Sequence, residues 1–260
     1  PLRHTLAAQL GVPQESIVLG AGASALITDI VRALKPSLCV AFVPAFAEYR
    51  RACASCGVQF HGVPLTAEDH FRLDAIKCRA VLEALHPQLL ILNNPHNPSG
   101  ALISQAELRA IVEDAANAGT AVLLDEAFID YAPESQLTQH AAASPALIAV
   151  RSLTKFYGCP GLRIGYAVAH ASMARHIEQV IPEWPIGTLA LDTLHAAVQD
   201  KEYAEATLAE NARDRTLLAS HLSRLGLQTF HSAANFLFLK LPHDWPDSSQ
   251  VREQLLRQHR

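Results

Sequence analysis

The chain has 260 residues, of which half are hydrophobic and 18% are charged, and its formal net charge is -4. This composition predicts a substantial buried core in one large domain or two unequal ones. The basic residues form no block, which argues against a nucleic-acid partner, and no apolar run approaches the ~20 residues of a membrane span. Five cysteines, an odd number, argue for reduced thiols, and we expect a cytoplasmic protein.

Short apolar runs alternate with helical patterns over the first two thirds of the chain, which is typical of a parallel sheet connected by crossover helices. Ser104 and Glu107 form a capping-box pattern at one helix start. Near residue 187 the pattern changes to longer helices. The predicted helices are residues 23–34, 104–118, 188–199, 203–225 and 249–260. The predicted strands are residues 17–19, 39–43, 58–63, 89–92, 121–124, 147–150, 164–168, 227–230 and 235–241.

The run Gly20-Ala21-Gly22-Ala23-Ser24 follows the first predicted strand and opens a helix. Free backbone amides at a helix start, together with the Ser24 hydroxyl, favour an anion such as phosphate. The run also fits a dinucleotide-binding pattern if Ala25 replaces the third glycine. However, the next strand lacks the acid that would hold a ribose. A plain tight turn remains the alternative to an anion site.

Three further residues follow predicted strands at the edge where α/β sheets bind ligands. Asp125 can keep a pyridine nitrogen protonated, although a carboxylate that caps a helix or forms a salt bridge would look the same. Asn97 can donate to a phenolic oxygen, and a simple Asn-Pro turn is its alternative. Phe46 can lie flat on a cofactor ring or belong to the core.

The run from Arg151 to Arg163 places Lys155 among hydroxyls, with a guanidinium eight residues further on. A lysine that condenses with a carbonyl needs nearby positive charge or burial to lose its proton, and a phosphate needs hydroxyl and guanidinium donors. This combination predicts pyridoxal phosphate, held as a Schiff base on Lys155. Cys53 and Cys56 have a spacing seen in zinc and redox sites, but no second pair lies at zinc-finger distance. We therefore predict buried helical thiols and no metal.

Taken together and in this order, these motifs resemble the aminotransferase class I/II family of fold type I pyridoxal phosphate enzymes over nearly the whole chain. The resemblance implies a large α/β domain over residues 1–186, with a mostly parallel sheet and helices on both faces. An incomplete small α+β domain would follow over residues 187–260. Lys155 would be the catalytic Schiff-base lysine and Asp125 the catalytic partner of the pyridine nitrogen. Asn97 would bind the phenolic oxygen, and Phe46 would stack on the ring. The implied phosphate-binding residues are Gly22, Ala23, Ser24, Ser152, Thr154 and Arg163.

Two groups within this family are the most similar, the threonine-phosphate decarboxylases of cobalamin biosynthesis and the histidinol-phosphate aminotransferases. Aminotransferases of this type usually carry a tyrosine at the position of Phe128, and its hydroxyl helps to bind the phenolic oxygen. Phe128, the run 152–163 and the segment 183–186 look more like the decarboxylases. The resemblance therefore favours decarboxylation of L-threonine O-3-phosphate, a small phosphorylated amino acid, over amino transfer. A noncatalytic relative that binds the cofactor is the third alternative.

The family also implies two features outside these residues. One is an N-terminal arm whose tyrosine reaches the partner subunit's cofactor, and the other is an arginine of the small domain that binds the substrate carboxylate. We therefore expect a homodimer for the full-length protein and poor activity for these 260 residues alone. Apolar surface is expected to be exposed in the small domain.

Overall fold

The computed structural model describes residues 1–258, so the last two residues of the predicted helix 249–260 lie outside the described part. A seven-stranded sheet forms the centre of the structure. Its strands are Ile17–Gly20 (β1), Leu38–Val43 (β2), Gln59–Pro64 (β3), Leu89–Asn93 (β4), Ala121–Asp125 (β5), Leu147–Ser152 (β6) and Gly165–Ala169 (β7). The spatial order is β1-β7-β6-β5-β4-β2-β3. β7 is antiparallel to both of its neighbours and every other adjacent pair is parallel, which confirms the predicted mostly parallel sheet.

Helices connect these strands and cover both faces of the sheet. They are Leu2–Leu10 (α1), Ala23–Leu34 (α2), Glu48–Ser55 (α3), Ala75–Leu85 (α4), Gln105–Asn117 (α5), Thr138–Ala143 (α6), Ala171–Glu178 (α7), Thr188–Ala197 (α8), Lys201–Arg224 (α9) and Ser248–Gln258 (α10). α2 has the predicted bounds. Both hydrogen bonds of the predicted capping box between Ser104 and Glu107 are present at the start of α5.

Alternate residues of the strands pack into two separate cores. On β4, Leu90 and Leu92 belong to the core that contains Leu108 of α5. The residue between them, Ile91, belongs to the opposite core with Leu26 of α2. Because both faces of the sheet are buried, its strands are continuous apolar runs, except for the partly exposed edge strand β3.

The C-terminal part of the chain contains a second, two-stranded sheet of Gln228–Thr229 (β8) and Leu239–Lys240 (β9), which are antiparallel. The predicted strands 227–230 and 235–241 are therefore wrong in extent. The segment between β8 and β9 instead turns toward the large sheet. There the Phe236 ring packs edge-on against Phe128, with 5.0 Å between the ring centroids.

The same segment docks on the turn that follows β4. The amide of Ala233 donates to the carbonyl of Gly100 at 2.9 Å. Gly100 has a φ of 76°, and a Cβ at this position would lie 2.1 Å from the Ser232 hydroxyl oxygen. Only glycine permits this close approach of the two chain segments.

Apolar side chains are exposed on the helices of the C-terminal part. The exposed fraction is 53% for Leu217, 50% for Leu218 and 53% for Leu255. Exposed apolar surface in this region is what the sequence predicts. Within residues 1–258, we find no helix that combines the length and the apolar character needed to cross a bilayer.

Candidate functional site

A cleft with about 450 Å³ of empty space opens where β4, β5 and β6 end. Parallel pairing brings these strand ends side by side, because Asn93 is in register with Asp125 and Asp125 with Val150. Nine of the ten predicted site residues line this cleft, and the tenth, Gly22, lies against Arg163. The nine are Ala23, Ser24, Phe46, Asn97, Asp125, Ser152, Thr154, Lys155 and Arg163.

The carboxylate of Asp125 is buried, lines the cleft and has a partner for each oxygen. The Tyr49 hydroxyl donates to Oδ2 at 2.6 Å, and the Ala127 amide donates to Oδ1 at 2.9 Å. Burial raises the pKa of Asp125, while these two donors and the positive charge of Lys155 oppose that rise. A cationic ring nitrogen facing Asp125 would add a further opposing charge. The donor set therefore fits a protonated pyridine.

Tyr49 is a site residue that the sequence analysis missed. Burial, followed by the neighbouring Asp125 charge, raises the pKa of Tyr49 well above its usual range, so its phenol keeps the proton and donates. Tyr49 lies three residues after Phe46, and the two rings contact edge-on at 5.8 Å. Residues three positions apart lie on the same side of a helix, so the spacing from Phe46 near the start of α3 was the sequence signal that indicated Tyr49.

Asn93 is a second missed residue, and it supports the turn that carries Asn97. Its side-chain nitrogen donates to the Asp125 carbonyl at 2.9 Å, and its side-chain oxygen accepts from the Asn97 amide at 2.6 Å. Asn93 ends β4 and is buried. It therefore fixes the position of the Asn97 turn relative to Asp125.

Hydroxyl, amide and guanidinium donors also line the cleft. The Ser152 and Thr154 hydroxyls lie 2.7 Å apart and are buried, and Ser24 lies in the first turn of α2. Gly22 has a φ of 96°, and a Cβ there would lie 3.1 Å from Nη2 of Arg163. Helix amides, hydroxyls and a guanidinium are the groups that bind phosphate.

Gly165 of β7 brings the two halves of this anion site together. It is in register with Gly20 on one side and Ser152 on the other. A Cβ at Gly165 would lie 2.6 Å from the Ala23 amide nitrogen. The missing side chain thus lets the start of α2 approach β6.

Lys155 lies in the turn after β6, with its Nζ 5.8 Å from the centroid of the Phe128 ring. Its side chain is exposed to the cleft, and within the described part of the chain it forms no ion pair. The amine and the Asp125 carboxylate line the same cleft, as the predicted chemistry requires.

A charge network with a buried Arg151 and a buried Glu126 joins the loops after β5 to β6. Arg151 forms an ion pair with Asp130 and donates to the Gln136 side chain at 2.9 Å. Glu126 accepts from the Leu137 amide at 2.8 Å. Burial raises the pKa of Glu126 to about 7, although the nearby Arg151 charge lowers it.

The cysteine pair lies away from the cleft lining. Cys53 is buried on α3, and Cys56 is half-buried directly after this helix. Among residues 1–258, no three His, Cys, Asp or Glu side chains are grouped so that they could hold a metal ion.

Comparison with known proteins places this chain in a family. The family model for aminotransferase class I and II matches residues 2–260. The chain is 33% identical to histidinol-phosphate aminotransferase of Oleidesulfovibrio alaskensis, over 98% of this chain and 68% of that protein. It is 36% identical to threonine-phosphate decarboxylase of Salmonella typhimurium, over 92% of this chain and 66% of that protein.

Solved structures agree with this assignment. Histidinol-phosphate aminotransferase from Clostridium acetobutylicum matches with a TM-score of 0.89 and 25% identity, over 99% of this chain and 76% of that one. The chain spans about two thirds of the length of the two curated relatives named above. It belongs to the aminotransferase class I and II family of pyridoxal phosphate enzymes, as its sequence predicts.

Proposed function

We propose that the protein decarboxylates L-threonine O-3-phosphate to aminopropanol phosphate, with pyridoxal 5'-phosphate as its cofactor. The observation that carries this choice is Phe128, whose apolar ring lines the cleft beside Lys155. The similarity to a threonine-phosphate decarboxylase at 36% identity supports it. Amino transfer from histidinol phosphate is the second candidate, because a histidinol-phosphate aminotransferase is 33% identical.

Asp125 holds a proton on the ring nitrogen, Asn97 donates to the phenolic oxygen, and Phe46 stacks on the ring. The bound cofactor supplies an electron sink for the pair left at the substrate's α-carbon when a bond there breaks. The phosphate lies among Gly22, Ala23, Ser24, Ser152, Thr154 and Arg163.

Lys155 carries the cofactor and moves the proton. Decarboxylation breaks the bond between the α-carbon and the carboxylate, and one proton must return to that carbon. Once the substrate's amine has taken its place on the cofactor, the Lys155 amine lies in the cleft and can hold and deliver that proton. Phe128 offers no hydroxyl as a competing donor.

The second reaction places a different demand on the same wall of the cleft. Amino transfer moves a proton away from the α-carbon, and aminotransferases of this family usually carry a tyrosine at the position of Phe128, whose hydroxyl helps to bind the phenolic oxygen. The Phe128 ring is fixed by its edge-on contact with Phe236 at 5.0 Å, and neither ring can donate a hydrogen bond. Phenylalanine at position 128 therefore supports the choice of decarboxylation over amino transfer.

The test is to incubate the full-length protein, loaded with cofactor, with threonine phosphate, and separately with histidinol phosphate and 2-oxoglutarate. We expect carbon dioxide from the first mixture and no glutamate from the second. Glutamate without carbon dioxide would establish the aminotransferase instead. Cofactor binding with neither product would overturn both activities and favour the noncatalytic relative.

Phe128→Tyr tests the residue on which the choice depends. Adding the hydroxyl is expected to lower the yield of carbon dioxide and to raise that of glutamate. Phe60→Tyr is the matched control, since Phe60 lies on the edge strand β3, outside the cleft lining. An unchanged product ratio in Phe128→Tyr would remove the basis for preferring the decarboxylase.

A further inference from the structure

His96 is a buried side chain beside the site, with both of its ring nitrogens engaged. Only 7% of the residue is exposed. Its Nδ1 lies 2.7 Å from the Ser99 hydroxyl oxygen, and its Nε2 lies 2.9 Å from the carbonyl oxygen of Pro44. Ser99 belongs to the same turn as His96, whereas Pro44 follows β2, so the imidazole bridges two separate loops.

The partners of His96 determine where its proton lies. The Pro44 carbonyl can only accept, so Nε2 carries the hydrogen and donates it. Nδ1 is then the unprotonated nitrogen and accepts from the Ser99 hydroxyl. Burial lowers the pKa of His96 to about 4, so the ring stays neutral near neutral pH and both hydrogen bonds persist.

The bridge lies where backbone pairing between the two strands has ended. The ladder between β2 and β4 covers Cys39 to Ala41 on one strand and Leu89 to Ile91 on the other. Beyond it, Pro44 and His96 continue toward the cleft without a shared ladder. The His96 side chain supplies the cross-link there that backbone hydrogen bonds supply deeper in the sheet.

The two loops that His96 joins each carry a residue of the cleft. Asn97 is its chain neighbour, and Phe46 lies two residues after Pro44. Both side chains line the cleft. A change in the distance between the loops would change the distance between Phe46 and Asn97.

We propose that His96 is a positioning residue that sets the spacing between Phe46 and Asn97. It thereby sets the fit of the cofactor ring between Phe46, which stacks on the face of the ring, and Asn97, which binds the phenolic oxygen at its edge. This inference rests on the proposed roles of Phe46 and Asn97, and it does not depend on the choice between decarboxylation and amino transfer. His96 acts through the Pro44 carbonyl and through its own turn, without touching the reacting atoms.

The test compares His96→Asn with His96→Gln. The shorter amide of asparagine cannot reach the Pro44 carbonyl, while the longer side chain of glutamine can place a donor near the position of Nε2. The readouts are the dissociation constant of pyridoxal phosphate, the induced circular dichroism of the bound cofactor at saturation, and the melting temperature of the cofactor-free protein. His61→Gln, on exposed β3, is the matched control.

We expect His96→Asn to weaken cofactor binding by about tenfold and to reduce the induced dichroism even at saturation, because a buried carbonyl loses its donor. His96→Gln should recover much of both signals, and His61→Gln should match the wild type. A lower melting temperature with unchanged affinity and dichroism would reduce His96 to a structural role and overturn the proposal. Failure of glutamine to improve on asparagine would also overturn it.

Phe46→Leu separates this inference from the assignment on which it rests. If Phe46 stacks on the ring, its replacement must change the induced dichroism whatever His96 does. An unchanged signal in Phe46→Leu would refute the stacking role itself. A changed signal in Phe46→Leu, with none in His96→Asn, would refute only the positioning role.

Discussion

Replacing Tyr49 with phenylalanine removes one donor from the buried carboxylate of Asp125 and changes little else. The lost bond is the 2.6 Å contact between the Tyr49 hydroxyl and Oδ2. A hydrogen bond to a charged group contributes about 1.5–3 kcal/mol. Because this bond also exists without the cofactor, we expect the dissociation constant of the cofactor to rise by at most roughly 10- to 150-fold. The remaining donor, the Ala127 amide, serves only the other oxygen.

The loss should depend on pH in a defined direction. Burial already raises the pKa of Asp125, and the Tyr49 bond opposes that rise, so Tyr49→Phe raises the pKa further. At a given pH, less of the carboxyl group is then ionised and able to pair with a protonated ring nitrogen. The affinity loss is therefore greatest toward acidic pH and shrinks as the pH rises.

Absorbance titrations with pyridoxal phosphate across this pH range would measure the effect. Tyr131→Phe is the matched control, because this phenol lies on the loop after β5 and is not among the residues that line the cleft. A loss of the same size at every pH, or an equal loss in Tyr131→Phe, would refute the reasoning.

Three further predictions concern other parts of the site. Lys155→Ala should lack the visible absorbance band of the lysine-bound cofactor, which Lys201→Ala should keep; a persistent band would refute the assignment of the lysine. Gly22→Ala strains a residue with a φ of 96° by about 1–3 kcal/mol and should weaken cofactor binding in titrations. Gly187→Ala, with open space around it, should not, and equal affinity of the two variants would contradict the role of Gly22. Burial raises the pKa of Glu126 from 4.5 to about 7, so Glu126 stabilises the folded state less as the pH rises through this interval, by up to about 3 kcal/mol. In urea unfolding, the free energy of unfolding of Glu126→Gln should not fall over this pH interval. A fall equal to that of the wild type would contradict the assignment to Glu126.

The sheet and the main site residues were predictable because their signals are local. The apolar runs that mark the strands, and the capping box at Ser104 and Glu107, depend only on neighbours in the sequence. Lys155 and Asp125 were predictable because each follows such a run, and parallel strands end at the same edge of the sheet.

Tyr49 was not predictable in the same way, because its role is set by a contact with a residue 76 positions away. How α3 packs on the sheet decides whether the phenol points to Asp125 or into the core. The overlong predictions for β8 and β9 have a related cause. Phe230 and Phe238 look like strand residues, but both pack edge-on against Phe71, outside β8 and β9 as the structure has them.

Ser232 packs closely against Gly100, so the C-terminal segment and the Asn97 turn cannot move independently. Any side chain at position 100 would clash with Ser232 and displace the segment from Ser232 to Phe236. Phe236 would then lose its edge-on contact with Phe128. A methyl group added at Gly100 would thus shift Phe128, which lines the cleft, by way of Ser232 and Phe236. Substitution of Gly100 offers a way to alter selectivity without changing a residue that lines the cleft.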